Sequence, residues 1–195
     1  MAVKKKELEI RALLIEENEI IIESLSEIMR SRSMGFNVIT HKDPTQAINL
    51  IKGGSLSIVI ADDKCGSKEG LEILQLAQKE IPTATRLLLT SRVNDDAVQA
   101  ALKDRLIYRY ITKPWLTEDL IMTLNTAAES YRLSEKNRSL TLEKNDLERT
   151  VRDLEKMAEA GGGAGNAAPV AVQAAQTQVT AGDGDAGTIM QVMIE

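Results

Sequence analysis

The sequence predicts an α/β fold, in which a five-stranded parallel sheet is doubly wound, with helices on both faces. Short apolar runs rich in β-branched residues alternate along the chain with segments whose apolar residues recur at helical spacing. Hydrophobic residues make up 43% of the 195 residues but aromatic residues only 3%, so the core is built from aliphatic side chains. Strands that alternate with helices favour a parallel sheet covered on both faces.

Five runs predict strands, and helical patterns separate them. In chain order the strands are IRALLI (10–15), FNVIT (36–40), LSIVIA (56–61), RLLLT (86–90) and LIYRYIT (106–112). The helical patterns are carried by Ile21, Ile22, Leu25, Ile28 and Met29, by Ala47, Ile48 and Ile51, by Leu71, Leu74 and Ala77, and by Ala97, Ala100 and Ala101. In such sheets the ligand site lies at the carboxyl ends of the strands, near the switch in strand order.

The chain is predicted to have three parts. Residues 1–131 form the α/β domain, 132–160 a helical extension, and 161–195 a low-complexity tail without Lys or Arg. No Pro or Gly interrupts the chain from 116 to 160, which predicts a helix far longer than the sheet requires. The tail is expected to be a flexible linker. Its apolar end, TIMQVMIE, is expected to be disordered, with a docking peptide as the alternative.

The long helix carries leucines at intervals of seven residues. The predicted seam consists of Leu133, Leu140, Leu147, Val151 and Leu154. This spacing predicts a parallel homodimer through residues 133–158. The alternative is a single solvated helix; the dimer is favoured because a long, polar-rich helix on its own has little to stabilise it.

Composition excludes several classes of function. The formal net charge is −5, and the basic residues form no block beyond 4–6, which argues against DNA binding. A single Cys and a single His cannot form a typical zinc site. No apolar run reaches the roughly 20 residues of a membrane span, so we expect a cytoplasmic protein.

Polar and charged residues occur where four of the predicted strands end. They are Glu16 and Glu17 after the first strand, Asp62 and Asp63 after the third, Thr90 at the end of the fourth, and Lys113 after the fifth. Carboxylates gathered at one edge repel each other unless a cation binds among them, and Mg²⁺ prefers such oxygen ligands. With a phosphoryl group added, Lys113 and Thr90 would each bind a phosphate oxygen, and the remaining carboxylate is the nucleophile.

This arrangement resembles the receiver domain of bacterial two-component response regulators, a flavodoxin-like or CheY-like fold, over residues 9–131. The family's phosphoacceptor is an Asp followed eight residues later by Gly. Asp62 and Gly70 match that spacing, whereas the eighth residue after Asp63 is Leu71. The resemblance therefore implies that Asp62 is the phosphoacceptor and that Asp63 takes a place that is usually apolar.

The same resemblance implies a role for each of the other residues. Glu16 and Glu17 correspond to the acidic pair that holds Mg²⁺ together with Asp62. Thr90 corresponds to the switch hydroxyl and Tyr110 to the aromatic side chain that rotates with it. Lys113 corresponds to the phosphate-binding lysine, and the peptide bond before Pro114 is implied to be cis.

Two further departures from the family pattern concern the acidic pair and the loop after Asp62. The acidic pair contains no Asp, and Gly66 stands where a Pro is common. Taken singly, each residue also has a structural alternative: Thr90 as the end of a strand, Tyr110 as filling for a sheet edge, and the glutamates as an acidic helix start.

The resemblance implies a signalling protein rather than an enzyme, with only slow self-dephosphorylation. A histidine kinase would donate the phosphoryl group, and output would pass through contacts with a downstream protein and through the coiled coil. The segment YRYITKPW before a long charged helix resembles receivers that precede cyclic-dinucleotide or HD-GYP enzymes. The alternative is a pseudo-receiver scaffold that acts independently of phosphorylation.

Overall fold

The computed structural model describes residues 8–92 and 94–160. The apolar runs form five parallel strands in the spatial order β2-β1-β3-β6-β7, and residues 64–69 form a separate two-stranded hairpin. The strands are β1 (Arg11–Ile15), β2 (Asn37–His41), β3 (Ile58–Asp62), β4 (Lys64–Cys65), β5 (Lys68–Glu69), β6 (Thr85–Thr90) and β7 (Arg109–Thr112). The predicted five-stranded parallel fold is confirmed.

Five helices connect these strands. They are α1 (Glu19–Arg30), α2 (Pro44–Lys52), α3 (Gly70–Glu80), α4 (Asp96–Lys103) and α5 (Thr117–Ala160). Three of them begin after a residue whose side chain accepts a hydrogen bond from a backbone N–H of the first turn: Asn18 for α1, Asp43 for α2 and Asp95 for α4. These caps satisfy N–H groups that have no partner within the helix, and so they fix where each helix starts.

The strands bury both of their faces, as the near-continuous apolar runs predict. Alternate residues of β1, β3 and β6, such as Leu13, Val59 and Leu88, pack with α2, α3 and α4. The residues between them, such as Leu14 and Ile60, pack with α1 and the first turns of α5. Both core layers lack large aromatic side chains except at their margins, so the sheet is sandwiched between aliphatic surfaces.

The structure differs from the sequence-based expectation in two places. The last strand begins at Arg109 and not at 106, because the amides of Leu106 and Ile107 bond to the Ala101 carbonyl and close the turn after α4. The β4–β5 hairpin was not predicted, since strands of two residues carry no alternation that a sequence pattern can reveal. Its turn contains Gly66 at a φ of +60°, a conformation that favours glycine.

Contacts divide the chain into two units at Glu143 and Lys144, and α5 contains that boundary. In the first unit, Leu133 and Leu140 are exposed on α5. In the second unit, every side chain from 144 to 159 is exposed. Among the described residues, no helix is both long and apolar enough to cross a membrane. The predicted tail, 161–195 with its TIMQVMIE segment, lies outside the described residues.

The start of α3 leaves no room for a side chain at Gly70. An ideal Cβ built on this residue would lie 1.9 Å from the Asp62 carbonyl oxygen. We therefore expect Gly70→Ala to lower the free energy of unfolding by about 2 kcal/mol or more, because α3 must shift away from the end of β3. Urea unfolding followed by circular dichroism measures this loss.

Gly53→Ala is the matched control. Gly53 has right-handed helical backbone angles at the end of α2, and an added Cβ would lie 3.3 Å from the Leu50 carbonyl oxygen, a contact that a shift of a few tenths of an ångström relieves. Equal stability losses in the two variants would contradict the tight approach of α3 to β3.

Candidate functional site

The carboxyl ends of β1, β3, β6 and β7 bring the predicted site residues to one edge of the sheet. Asp62 is the last residue of β3, and its side chain is 13% exposed. Lys113 follows β7 directly, and its amide donates a hydrogen bond to the Thr90 carbonyl at 2.8 Å. The Lys113–Pro114 peptide is cis, as the resemblance implied.

Lys113 contacts two carboxylates at this edge. Its ammonium group donates a short hydrogen bond to Asp62 Oδ1 and lies 3.5 Å from Glu16 Oε2. Partial burial lowers the pKa of Lys113, but the hydrogen bond and charge of Asp62, together with Glu16, outweigh that effect and raise the pKa above its ordinary value of 10.5. The lysine is therefore positively charged at neutral pH, and it neutralises part of the acidic cluster.

Glu16 and Glu17 have different environments although they are neighbours. Glu16 is only 3% exposed, and its Oε1 accepts hydrogen bonds from the amides of Glu17 and Asn18, both at 2.9 Å. One oxygen of Glu16 is thus committed to the loop before α1 and the other lies near Lys113. Glu17 is exposed, and its Oε1 would lie 3.5 Å from a Cβ on Gly66. Its carboxylate therefore lies beside the turn of the hairpin that follows Asp62.

Thr90 is fully buried and forms a hydrogen bond with Asp63. Its hydroxyl donates to Asp63 Oδ2 at 2.8 Å and accepts from the amide of Arg92 at 2.9 Å. The sequence predicts that the Thr90 hydroxyl binds a phosphoryl group on Asp62, and it indicates no partner for Asp63. In this structure the neighbouring carboxylate holds the hydroxyl.

Arg92 is a further residue at this edge that the sequence did not single out. Its Nε lies 3.5 Å from Asp63 Oδ2, and its guanidinium group also lies 3.3 Å from the carboxylate of Asp95, the N-cap of α4. An arginine two residues after Thr90 is visible in the sequence, but the direction of its side chain depends on the loop that follows β6. Arg92 therefore links the Asp63 carboxylate to the start of α4.

Cys65 lies beneath the acidic cluster as a neutral thiol. Burial raises its pKa to about 12; a hydrogen bond with the backbone of Asp62 opposes the shift, and the charges of Asp62, Glu16 and Glu17 raise it further. A thiol with so high a pKa is not a nucleophile at neutral pH.

Tyr110 lies on β7, where it is half-buried and packs against the core layer of α2, α3 and α4. Trp115 packs on the opposite layer, against the residues of α1 and α5. Tyr110 pairs in register with Leu88, two residues before Thr90, so a change at Thr90 occurs close to the tyrosine.

In residues 8–92 and 94–160, no three His, Cys, Asp or Glu side chains form a group ready to bind a metal ion. The carboxylates have other partners, because the Lys113 ammonium group is hydrogen-bonded to Asp62 and one oxygen of Glu16 accepts a hydrogen bond from the backbone. Mg²⁺ usually takes one or two protein carboxylates, with water and phosphate oxygens as its other ligands. Asp62 and Glu17 are the carboxylates that suit this role.

A family model described as the response regulator receiver domain matches residues 12–125. The chain belongs to the response regulator receiver family. The receiver is also similar to the hydrogenase transcriptional regulatory protein HoxA of Bradyrhizobium diazoefficiens, with 27% identity over 111 residues. That match covers 57% of this chain and 22% of HoxA, so the receiver spans about a quarter or less of this relative.

Solved structures agree with this assignment. The signal receiver domain of an HD domain-containing protein from Pseudomonas fluorescens Pf-5 is 26% identical, with a TM-score of 0.62; the match covers 71% of this chain and 99% of that one. A CheY-like receiver domain protein from Methanospirillum hungatei JF-1 has a TM-score of 0.58 at 21% identity, over 67% of this chain and 99% of that one. The second likeness supports the fold alone.

The pairing of Lys113 with Asp62 and Glu16 generates a prediction about stability. We expect Lys113→Met to lower the free energy of unfolding at pH 7 by about 1–3 kcal/mol, because two partly buried carboxylates lose their counter-charge. Because the pKa of Lys113 is raised in the folded state, its contribution is fully present below pH 10.5 and is lost as the pH rises through the folded-state pKa. Urea unfolding from pH 7 to 11.5 measures the difference between the two proteins.

The control is Lys64→Met, at an exposed lysine of the adjacent hairpin. This variant should stay within about 0.5 kcal/mol of the unmodified protein. A stability difference for Lys113→Met that is absent, or that does not shrink above pH 10.5, would contradict the ion pair.

Proposed function

We propose that this receiver accepts a phosphoryl group on Asp62 from a histidine kinase and signals through protein contacts and coiled-coil dimerisation. One observation carries the proposal: Asp62, at the end of β3 and partly open to solvent, contacts the ammonium group of Lys113. A carboxylate beside a fixed cation is a suitable nucleophile for phosphoryl transfer, since the reaction depends mainly on positioning and charge neutralisation.

In the proposed transfer, one oxygen of Asp62 forms a bond to phosphorus while the bond between phosphorus and the donor's nitrogen or oxygen breaks. The electron pair of that bond leaves with the donor. Lys113 then pairs with a phosphate oxygen, and the Thr90 hydroxyl donates a hydrogen bond to another. Both residues are anchored at the site: the backbone amide of Lys113 donates a hydrogen bond to the Thr90 carbonyl, and Thr90 is fully buried.

The carboxylates fit the Mg²⁺ ion that receivers use for phosphorylation. Asp62 and Glu17 would hold it directly and Glu16 through water, because Glu16 already bonds to two backbone amides. The ion supplies positive charge that neutralises the phosphoryl oxygens as the new bond forms. Glu is one methylene longer than Asp, and the carboxylate of Glu17 lies beside Gly66, where a Cβ would be 3.5 Å from its Oε1.

The proposed switch couples Thr90 to Tyr110. Phosphorylation draws the Thr90 hydroxyl toward Asp62, and Tyr110, which is half-buried on the adjacent strand, rotates into the vacated space. A shift between two pre-existing states needs only a few kcal/mol of differential interaction. The surface formed by α4, β7 and α5 is the proposed contact for a downstream protein.

Dimerisation through α5 is supported by the exposure of its apolar residues. The five predicted seam residues are between 50% and 62% exposed in the single chain. Large apolar side chains at heptad spacing are stable in water when a second helix covers them. The polar seam residues Asn137 and Lys144 favour a fixed register at some loss of stability.

A pseudo-receiver scaffold is the second candidate, and one observation favours it. The Thr90 hydroxyl that would bind a phosphoryl group is already bonded to Asp63. HoxA is a transcriptional regulator, but the match covers 22% of its length, so the similarity supports the receiver step and not an output.

Phosphorylation of Asp62 is tested with small-molecule donors. On incubation with Mg²⁺ and acetyl phosphate or phosphoramidate, we expect intact-mass spectrometry to detect one added phosphoryl group, because Asp62 is the partly exposed carboxylate beside Lys113. Asp62→Asn should abolish the added mass. Asp63→Asn is the matched neighbour and should retain it. Absence of label at saturating donor would favour the scaffold, and label that survives Asp62→Asn would contradict the assignment of the acceptor.

Dimerisation is tested by light scattering on the full chain. We expect the mass of a dimer, which falls to that of a monomer in the Leu140→Ala/Leu147→Ala variant because two seam contacts are lost. Leu142→Ala is the matched control. Leu142 is 57% exposed, which is similar to Leu140 and Leu147, but it lies outside the seam. A monomeric unmodified protein, or equal effects of the seam and control variants, would rule out the proposed coiled coil.

A further inference from the structure

Asp63 has a fixed position beside Thr90. Its amide donates to the Leu89 carbonyl at 3.1 Å, which extends the β3–β6 ladder by one residue, and its carbonyl accepts from the Gly70 amide at 2.9 Å. Ala61 and Leu88 both pack in the layer of α2, α3 and α4. Because side chains alternate along strands, Asp63 and Thr90, two residues further on, face the same layer as cross-strand neighbours.

The hydroxyl of Thr90 can serve only one acceptor at a time. A threonine hydroxyl has a single hydrogen, and here that hydrogen is donated to Asp63 Oδ2 at 2.8 Å. Thr90 is 0% exposed and the Asp63 side chain is 14% exposed, so this charge-assisted bond is largely shielded from water. Before the hydroxyl can bind a phosphoryl group on Asp62, the bond to Asp63 must break.

We propose that Asp63 is a positioning residue that competes with the phosphoryl group for the Thr90 hydroxyl and so holds the receiver in its unphosphorylated conformation. The proposal rests on the proposed function of Asp62 and adds a specific restraint to it. It explains the consequence of an aspartate where the family usually has an apolar residue, since an apolar side chain could not accept this hydrogen bond.

Arg92 makes the exchange possible without leaving a carboxylate unpaired. When Thr90 leaves, Asp63 retains the guanidinium group of Arg92, which lies 3.5 Å away. Arg92 is 54% exposed, so this ion pair contributes little stability by itself. The restraint therefore depends mainly on the buried bond between Thr90 and Asp63.

Simple charge repulsion is the competing explanation, because any carboxylate beside Asp62 disfavours an incoming anion. The two explanations differ in what Asp63→Asn and Asp63→Ala do. Asn removes the charge but keeps an oxygen that accepts from Thr90, whereas Ala removes both. Competition for the hydroxyl predicts a larger effect for Ala than for Asn, and an effect that requires Thr90. Repulsion predicts similar effects that persist without the hydroxyl.

The first experiment needs no phosphorylation. Urea unfolding of the unmodified protein, Asp63→Ala, Thr90→Val and the double variant forms a double-mutant cycle. We expect a coupling on the order of tenfold in the unfolding equilibrium constant, which is typical of a hydrogen bond to a charged group. Additive effects would overturn the proposal, because the two side chains would then not interact. A failure of this arm says nothing against the proposed function, which depends on Asp62.

The second experiment measures the competition. Beryllofluoride, a phosphoryl analogue, is titrated with Mg²⁺ while the fluorescence of Trp115, the single tryptophan of the chain, is recorded. We expect Asp63→Ala to bind on the order of tenfold more tightly than the unmodified protein, with Asp63→Asn intermediate. In the Thr90→Val background, Asp63→Ala should change the affinity by less than about twofold.

Equal gains for Asn and Ala, or a gain that survives Thr90→Val, would overturn the competition and leave charge repulsion as the cause. No response of the unmodified protein to beryllofluoride would also overturn it. The acetyl phosphate experiment then separates the two levels: if Asp62 still gains a phosphoryl mass, only the role of Asp63 has failed, and if it does not, the proposed function has failed as well.

Discussion

The crowding of carboxylates at the carboxyl edge of the sheet is the constraint on which the site depends. Parallel strands end at a common edge, so residues distant in sequence meet there whatever their charge. Asp62 and Glu16 are held at this edge by one cation, because the ammonium group of Lys113 contacts both carboxylates and the backbone of Thr90 anchors Lys113. The same lysine that stabilises the resting site is available to pair with a phosphate oxygen. The ion pair between Lys113 and Asp62 therefore contributes both to the stability of the site and to the proposed chemistry.

A single hydroxyl hydrogen imposes the second constraint. Thr90 is sealed in the core layer beneath the site, so its hydroxyl needs an acceptor in every state of the protein. Asp63 provides that acceptor in the present structure. In the proposed competition, this buried donor would move between two acceptors in one step, without a stable unpaired intermediate. This favours a two-state response over a graded one, because the loss of one bond and the gain of the other are tied to the same atom.

The fold and the composition of the site could be predicted from the sequence because both follow from local patterns. Apolar runs ending in Glu16, Asp62 and Thr90 predict strands, and parallel pairing then brings their ends together without further information. The partner of Thr90 could not be predicted in the same way. Whether its hydroxyl reaches Asp62 or Asp63 depends on cross-strand register, and a shift of one residue exchanges the two faces of the strand. The β4–β5 hairpin and the contact of Arg92 with Asp63 could not be predicted for a related reason, because short loops have no periodicity in their sequence.

The long helix α5 raises the question of how a change at the sheet edge would reach the leucine seam. The start of α5 packs on the core through Leu120 and Leu124, both buried, close in sequence to Lys113 and Pro114. A seam with polar residues at Asn137 and Lys144 is less stable than an all-apolar one. In the proposed dimer, weak pairing would allow a shift of a few kcal/mol at the receiver to change the state of the coil.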